Sequence, residues 1–218
     1  PMLYLLQPET AENLQKFVKN GGQLLATYFT GYVDKDTLCY LGGFPGDGLA
    51  ELFGVISEEI DTLYPSDRNS LCFLDGKKWT VYDYAEILRV QDAQILASYG
   101  TDFYEGSAGL TVKEWERDTH PGENGRAYYI AARVAPEEMR NLFETMLTDA
   151  GIAVKDLPGE VEYHQRQGED TTYEFYLNHG KEKSLIKNVT GRNLLTGEDI
   201  NETLSLAAYD VAVIGKQS

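Results

Sequence analysis

Residues 8–34 read PETAENLQKFVKNGGQLLATYFTGYVD, and this stretch decides the fold class of the first part of the chain. Its first half, 8–20, predicts a helix, because its apolar residues recur every three or four positions and Gly21 can end it. The apolar segment 23–29 predicts a strand, as do the apolar residues 1–6 that precede the helix. A strand, a helix and a strand in this order form a crossover, which makes the two strands parallel.

The chain after residue 30 first becomes a glycine-rich loop, with a short helix expected at 49–54, and then a series of strands. Alternation of apolar and polar residues in these strands predicts an antiparallel insertion or an extension of the sheet. The predicted strands are 55–65, 70–76, 77–90, 93–100, 109–117 and 125–134. Residues 136–151 predict the most regular helix, since Pro136 can open it and Gly151 can close it.

The last part of the chain follows a Pro-Gly break at residues 157–160, and it predicts strands alone. These are 161–167, 171–179, 183–189 and 203–215. We therefore expect two domains, an α/β domain over residues 1–158 and a small antiparallel β-domain over residues 159–218.

Charge and composition limit the kinds of partner that the protein can bind and the cellular compartment in which it can lie. The formal net charge of −16 would repel nucleic acid and anionic membranes, and no apolar run approaches the roughly 20 residues of a membrane span. The N-terminus has no features of a signal peptide. The two cysteines, Cys39 and Cys72, lie in apolar runs, and we interpret them as buried free thiols of a reducing compartment such as the cytoplasm.

The corner after the strand 23–29 is where an α/β hydrolase or an amidotransferase carries its nucleophile, and here it offers Thr30. Bulky Tyr28 and Tyr32 flank that corner, where a nucleophile elbow needs small residues. Cys39 does not follow a strand, and Cys72 lies within one. We interpret Thr30 as a structural turn residue and predict no catalytic nucleophile.

Metal, cofactor and carboxylate sites are not predicted either. The histidines His120, His164 and His179 are not spaced as metal ligands, and no glycine-rich segment has the lysine of a phosphate-binding loop. The acidic pairs Glu114 with Glu116 and Glu58 with Glu59 are typical of a solvated surface. The sequence thus predicts no catalytic, cofactor-binding or metal-binding residue.

The amino-acid sequences of several segments resemble those of one known family. PMLYLL and the stretch 8–34 resemble the trimerisation domain of glycoside hydrolase family 42 β-galactosidases, and LGGFPGDGLAELFGV, EEIDTLYP, AQILASYGTDFYEGSAGLT and GRAYYIAAR continue the resemblance in order. YEFYLNHG and NLLTGED resemble the C-terminal β-domain of that family. The resemblance covers nearly all 218 residues, so it is far more specific than any one segment.

The resemblance implies a domain of amidotransferase-like, or flavodoxin-like, fold, with a mostly parallel sheet and helices on both faces. It also implies a homotrimer whose separate (β/α)8 barrel binds and hydrolyses terminal β-D-galactosides with two glutamates. No segment here resembles that barrel, so no catalytic residue is carried over. The family's domain opens with an earlier strand and helix, which this chain lacks at Pro1, so we expect an unpaired sheet edge that another chain has to cover.

The glycine-rich loop 30–48 is the expected contact with a neighbouring subunit, through Tyr32, Leu38, Tyr40 and Phe44. Packing of these side chains on their own sheet is the simpler alternative.

The sequence is also compatible with two other functions. An amidotransferase-like enzyme would place His120 beside Thr30, Cys39 or Cys72, whereas a carbohydrate-binding module would expose Trp79 or Trp115 as a stacking surface.

Overall fold

The computed structural model describes residues 2–36, 38–40, 43–117 and 124–217, and the chain divides into two compact units, Pro1–Ala153 and Val154–Ser218. The domain boundary expected from the sequence, after residue 158, lies a few residues beyond the boundary in the structure. No helix in the described part of the chain is both long and apolar enough to cross a membrane.

The first unit carries most of the helical structure, and its helices lie close to where the sequence predicts them. In chain order its elements are β1 (Leu5–Leu6), α1 (Pro8–Lys19), β2 (Gln23–Thr27), β3 (Val33–Asp34), α2 (Leu49–Phe53), β4 (Val55–Thr62), β5 (Asn69–Phe73), β6 (Lys78–Val90), β7 (Gln94–Tyr99), β8 (Ala108–Trp115), β9 (Gly125–Ile130), β10 (Ala132–Val134) and α3 (Pro136–Asp149).

The main sheet has eight strands in the order β10-β6-β5-β7-β8-β9-β2, with β4 also paired to β6. Only β2 and β9 pair in parallel, and all other pairs are antiparallel. The prediction of a mostly parallel sheet is therefore wrong, and the flavodoxin-like description is not confirmed. Most of the strands between β4 and β9 follow one another through short connections, which permit antiparallel but not parallel pairing.

The crossover predicted at the start of the chain also differs from the structure. β1 pairs in parallel with β3, in a separate two-stranded sheet, rather than with β2. β2 lies at the end of the main sheet, where its only described strand partner is β9. One edge of β2 is therefore unpaired in the described structure.

The main sheet returns on itself because β9 and β10 are consecutive parts of one segment. β9 pairs with β8 and β2, whereas β10 pairs with β6 near the other end of the strand order. At the junction the backbone N–H of Glu86 donates to the carbonyl oxygen of Ala131 at 2.7 Å. The side chains of β9 alternate between two cores, with Tyr128 packed in the cluster that includes α3 and Tyr129 in the cluster that includes α1 and α2.

The second unit is a five-stranded sheet, and it confirms the predicted small antiparallel β-domain. Its strands are β11 (Val161–Gln167), β12 (Thr171–Asn178), β13 (Ser184–Asn193), β14 (Asp199–Leu206) and β15 (Val211–Gln217). They lie in the order β11-β12-β15-β13-β14, and every pair is antiparallel. The segment 203–215, predicted as one strand, is broken by a turn in which Tyr209 has a φ of +57°.

Glu174 lies at the centre of a polar network in this second unit, with its side chain 7% exposed. Lys155 Nζ and Lys216 Nζ lie 2.9 and 2.8 Å from its two carboxylate oxygens. The hydroxyls of Tyr176 and Tyr163 donate to the same carboxylate at 2.9 and 3.1 Å. Burial alone would raise the pKa of Glu174, but the hydrogen bonds from Lys216, Lys155 and Tyr176 outweigh it and lower the pKa to about 2.

The network predicts how the stability of the second unit depends on pH. The pKa of Glu174 is lower in the folded than in the unfolded chain, so the stabilisation is present above about pH 4.5 and is lost as the pH falls towards 2. Glu174→Gln should lower the free energy of unfolding by about 2 kcal/mol at pH 7, after allowance for the partly exposed lysines, and should flatten this acid dependence. Urea denaturation followed by circular dichroism between pH 2 and 7 measures both effects. Exposed Glu169→Gln is the control, and equal losses in the two variants would contradict the prediction.

Candidate functional site

The corner that follows β2 is the first candidate site, because it occupies the position of a nucleophile elbow. Phe29 has a φ of +60°, in the left-handed region that bulky residues rarely adopt. In a nucleophile elbow the reactive residue occupies such a strained position. The sequence directed attention to Thr30, but the strained position belongs to Phe29, whose side chain has no nucleophilic atom.

Thr30 itself is a structural residue of this corner, as predicted. It is 2% exposed, and its Oγ1 donates to the carbonyl oxygen of Thr27 at 2.7 Å. The two cysteines are free, but Cys39 is exposed and Cys72 half-buried, so the prediction of two buried thiols is wrong. His120 lies outside the described residues.

Glu86 and Tyr129 complete the corner, and the sequence analysis did not single out either of them. Glu86 is fully buried, and its Oε1 accepts a hydrogen bond from the backbone N–H of Phe29 at 2.6 Å. The Tyr129 hydroxyl donates to Glu86 Oε2 at 2.7 Å and also hydrogen-bonds to the backbone of Thr30. The backbone groups of the strained turn are thus bound by one carboxyl group and one phenol.

The electrostatics of this corner follow from burial. Burial raises the pKa of Glu86 to about 7, although the hydrogen bonds from Phe29 and Tyr129 partly offset it. Burial, followed by the nearby Glu86, raises the pKa of Tyr129 well above its usual value. One signal in the sequence could have revealed this site, because Glu86 alternates with Leu88 and Val90 on a strand face that is otherwise apolar there.

The residues predicted as a subunit contact lie beside this corner, and three of them form one aromatic group. The ring of Tyr32 lies 5.2 Å from that of Tyr40 and 4.9 Å from that of Phe44. Leu38 and Tyr40 are 62% and 55% exposed, Tyr32 is half-buried and Phe44 is 5% exposed. We call Tyr32, Leu38, Tyr40 and Phe44 the loop cluster, of which Leu38 and Tyr40 form the accessible part.

Neither tryptophan forms a stacking surface. Trp79 is 4% exposed. Trp115 is half-buried, its Nε1 donates to the carbonyl oxygen of Leu52 at 2.9 Å, and Lys19 and Lys113 lie over its ring. A carbohydrate-binding module with either tryptophan as its platform is therefore not favoured.

The acidic pairs and histidines form surface contacts. Glu58 pairs with Arg89 at 2.5 Å, and Glu114 pairs with Arg126 at 2.8 Å. His164 and His179 both hydrogen-bond to one exposed carboxylate, that of Glu162. Within the described ranges, no three histidine, cysteine or acidic side chains are placed to hold a metal ion.

Comparison with known proteins shows the family. The model of the β-galactosidase trimerisation domain matches residues 1–153, and that of the β-galactosidase C-terminal domain matches residues 160–216. The chain belongs to the glycoside hydrolase family 42 β-galactosidases. It comprises the non-catalytic trimerisation and C-terminal parts of that family.

Curated relatives of this family 42 chain are much longer than it is. It is 33% identical to β-galactosidase Pbg of Clostridium perfringens, with 100% of this chain and 32% of that protein covered. It is 34% identical to β-galactosidase GalA of Bacillus licheniformis, with 99% of this chain and 31% of that protein covered. The chain thus spans about a third of the length of the curated relatives it matches.

Solved structures show the same relationship. Gan42B, a GH42 β-galactosidase from G. stearothermophilus, aligns with a TM-score of 0.84 at 34% identity, over 100% of this chain and 31% of that one. The β-galactosidase from Bacillus circulans sp. alkalophilus aligns with a TM-score of 0.86 at 28% identity, over 99% of this chain and 32% of that one. The mixed, mostly antiparallel sheet of the first unit is therefore an arrangement found in family 42.

The strand β2, one edge of which is unpaired in the described structure, borders an apolar cleft of this family 42 domain. The cleft has a volume of about 810 Å³ and lies between α1, β2 and α3. Phe17, Phe143 and Ile152 line it and are 52%, 47% and 54% exposed. So much exposed apolar surface beside a free strand edge is a liability for a protein in isolation.

The bonds around Glu86 predict the effect of removing one hydroxyl. Tyr129→Phe should lower the free energy of unfolding of the first unit by about 1–3 kcal/mol, because Glu86 and the Thr30 backbone lose a buried partner. Thermal and urea denaturation measure the loss. Tyr64→Phe removes the hydroxyl of a side chain that is 75% exposed and should change stability little. Equal stability of the Tyr129 variant and wild type would show that this hydroxyl does not support the corner.

Proposed function

We propose that this chain is the assembly part of a β-galactosidase that hydrolyses terminal β-D-galactosides and acts as a homotrimer. The observation that carries the proposal is the match of residues 1–153 to the trimerisation domain, in a chain that spans about a third of its relatives. The relatives bear the name β-galactosidase, and the described residues offer no nucleophile at the strained corner. The galactoside would be bound by the catalytic barrel of the whole enzyme.

The mechanism that we propose for this chain is architectural. Apolar surface buried between subunits would hold the catalytic barrels beside one another and wall the substrate cleft. In such an arrangement the chain contributes no bond-breaking group, and its effect on catalysis is exerted through the position of the barrels. Association through buried apolar surface is driven mainly by the hydrophobic effect.

We propose the loop cluster as a contact with a neighbouring subunit. Leu38 and Tyr40 place large apolar side chains in solvent, and Tyr40 packs on Tyr32, which in turn packs on Phe44. Tyrosine on a rigid aromatic base is typical of interface residues that contribute most to binding. Phe44 is buried within its own subunit, so its part in the contact is to hold Tyr32 in place.

We also propose that the apolar cleft along β2 is covered in the assembled enzyme. Its exposed side chains Phe17, Phe143 and Ile152 are those that association or further chain would remove from water. Two free cysteines and bacterial relatives support a location in the bacterial cytoplasm, where thiols remain reduced.

An amidotransferase-like activity has weaker support. The strained position is held by Phe29, and the hydroxyl of Thr30 is bound to the Thr27 carbonyl oxygen. The geometry therefore favours the assembly role.

Substitution of the accessible residues of the loop cluster tests whether it is a subunit contact. Leu38→Ala together with Tyr40→Ala should raise the dissociation constant of the trimer by roughly 10- to 100-fold, because the contact loses two apolar side chains. Sedimentation equilibrium of a full-length enzyme that contains this sequence measures the constant, and the same variants in the present chain show whether it associates alone. Tyr64→Ala and Phe103→Ala, which remove other exposed aromatic side chains, are the controls. An unchanged association constant in the loop variant would remove the loop cluster from the interface.

A further inference from the structure

Glu86 is a buried ionisable group for which assembly and galactoside hydrolysis provide no role. Its carboxyl group lies on β6 and joins the corner after β2, through Phe29, to β9, through Tyr129. Its backbone carbonyl oxygen accepts a hydrogen bond from the hydroxyl of Tyr99 on β7 at 3.1 Å. One residue therefore contacts the places where the sheet returns on itself and where the strained corner begins.

The groups that face Glu86 provide hydrogen bonds but no positive charge. From β9 and β7 it faces the phenols Tyr129 and Tyr99, and from β4 the hydroxyl of Ser57. From the corner it faces Tyr28 as well as the Phe29 N–H.

Among the residues that the structure describes, charged groups lie only beyond this first layer. In addition to burial, the charge of Asp61 raises the pKa of Tyr99. Asp83 and Arg133 form an ion pair with each other, and their charges raise and lower the pKa of Tyr28, respectively. In the described structure, no cation forms an ion pair with Glu86.

A carboxylate in this position can lower its free energy either by binding a proton or by reaching water. Ionisation without a counter-charge is unfavourable in an apolar interior, even with two hydrogen-bond donors present. Phe29 is the most readily displaced of the contacting residues, because its backbone is strained and its side chain is half-buried at the surface. Tyr129 and Tyr99 are fixed within strands and almost fully buried.

We propose that Glu86 is a proton-dependent latch on the corner formed by residues 28–30. With the proton bound, Glu86 keeps Phe29 in its strained conformation. Loss of the proton favours an open form of the corner in which water reaches the carboxylate.

The direction of the pH effect follows from linkage. Burial raises the pKa of Glu86 to about 7 in the closed form, whereas an open form restores a value near that of an exposed glutamate. Opening therefore becomes more favourable as the pH rises from about 4.5, and the effect levels off above about pH 8. Between pH 5 and pH 8 the open population should rise on the order of 50-fold.

Opening of the latch would also affect the loop cluster. The Phe29 ring lies 6.2 Å from that of Tyr32 and 5.3 Å from that of Tyr84, so displacement of Phe29 removes a support of the cluster. A pH-dependent trimer is the consequence, and this part of the inference rests on the proposed function. The latch itself does not depend on it.

Amide hydrogen exchange in this chain, followed by NMR between pH 5 and 8, tests the latch. After correction for intrinsic exchange rates, protection of the Phe29 amide should fall on the order of 50-fold over this range in wild type. The fall should vanish in Glu86→Gln, whose amide oxygen can still accept the Phe29 N–H. Exposed Glu59→Gln on β4 is the control and should behave as wild type. The side-chain carboxyl carbon of Glu86 should titrate with a midpoint near 7.

Three results would overturn the latch. The first is a midpoint for Glu86 near that of exposed glutamates, and the second is a Phe29 protection that does not change with pH. The third is a change at Phe29 that merely equals that of core amides such as Leu110, since Glu86 would then reach water only on global unfolding. The wild-type data decide each of these, even where Glu86→Gln fails to fold.

The association constant at pH 5.5 and 8, measured on the full-length enzyme, separates the two proposals. Weaker association at pH 8, together with the loss of protection at the Phe29 amide, supports both the latch and the loop cluster as the subunit contact. Constant association alongside a Phe29 change would leave the latch in place and would show that the corner does not control the subunit contact.

Discussion

The hydrogen bonds of Glu86 connect the parts of the first unit on which its shape depends. The backbone N–H of Glu86 fixes β6 to Ala131, where the sheet returns on itself, and its carboxyl group binds the corner at Phe29. Tyr99 strengthens the same junction, because its hydroxyl donates to the carbonyl oxygens of both Glu86 and Ala131 at 3.1 Å. The loop cluster rests on this corner, so the outer surface of the domain depends on a contact in its interior.

The local structure of the chain could be read from its sequence, because local signals determine it. The helices α1 and α3 lie within the predicted segments, since each begins with a proline and has apolar residues at helical spacing. The prediction of a mostly parallel sheet was wrong because it was taken from the fold that the resemblance implied, whereas alternation in the strands after residue 55 indicated antiparallel pairing. Alternation identifies a strand, but strand order depends on contacts between residues far apart in sequence.

The site was harder to predict than the fold, for a physical reason. The left-handed conformation of Phe29 is held by the hydrogen bonds of Glu86 and Tyr129. Phe29 and Glu86 are 57 positions apart in the sequence, and Glu86 and Tyr129 are 43 positions apart. A propensity-based reading assigns such a backbone to glycine or asparagine, never to phenylalanine. The residues of the loop cluster can be proposed as a contact from the sequence because large apolar residues among glycines are visible locally, whereas the burial of Phe44 is not.

The same geometry argues against a vestigial active site. A general acid or base needs a pKa near neutrality, and Glu86 has one, but it also has to reach a substrate within hydrogen-bonding distance. Glu86 is fully buried, and both of its oxygens are occupied by the Phe29 N–H and the Tyr129 hydroxyl. A perturbed pKa marks a functional site only together with access. Here the perturbation reports the cost of burying the charge of Glu86 beside the strained corner, so Glu86 serves the structure of the domain and does not act on a substrate.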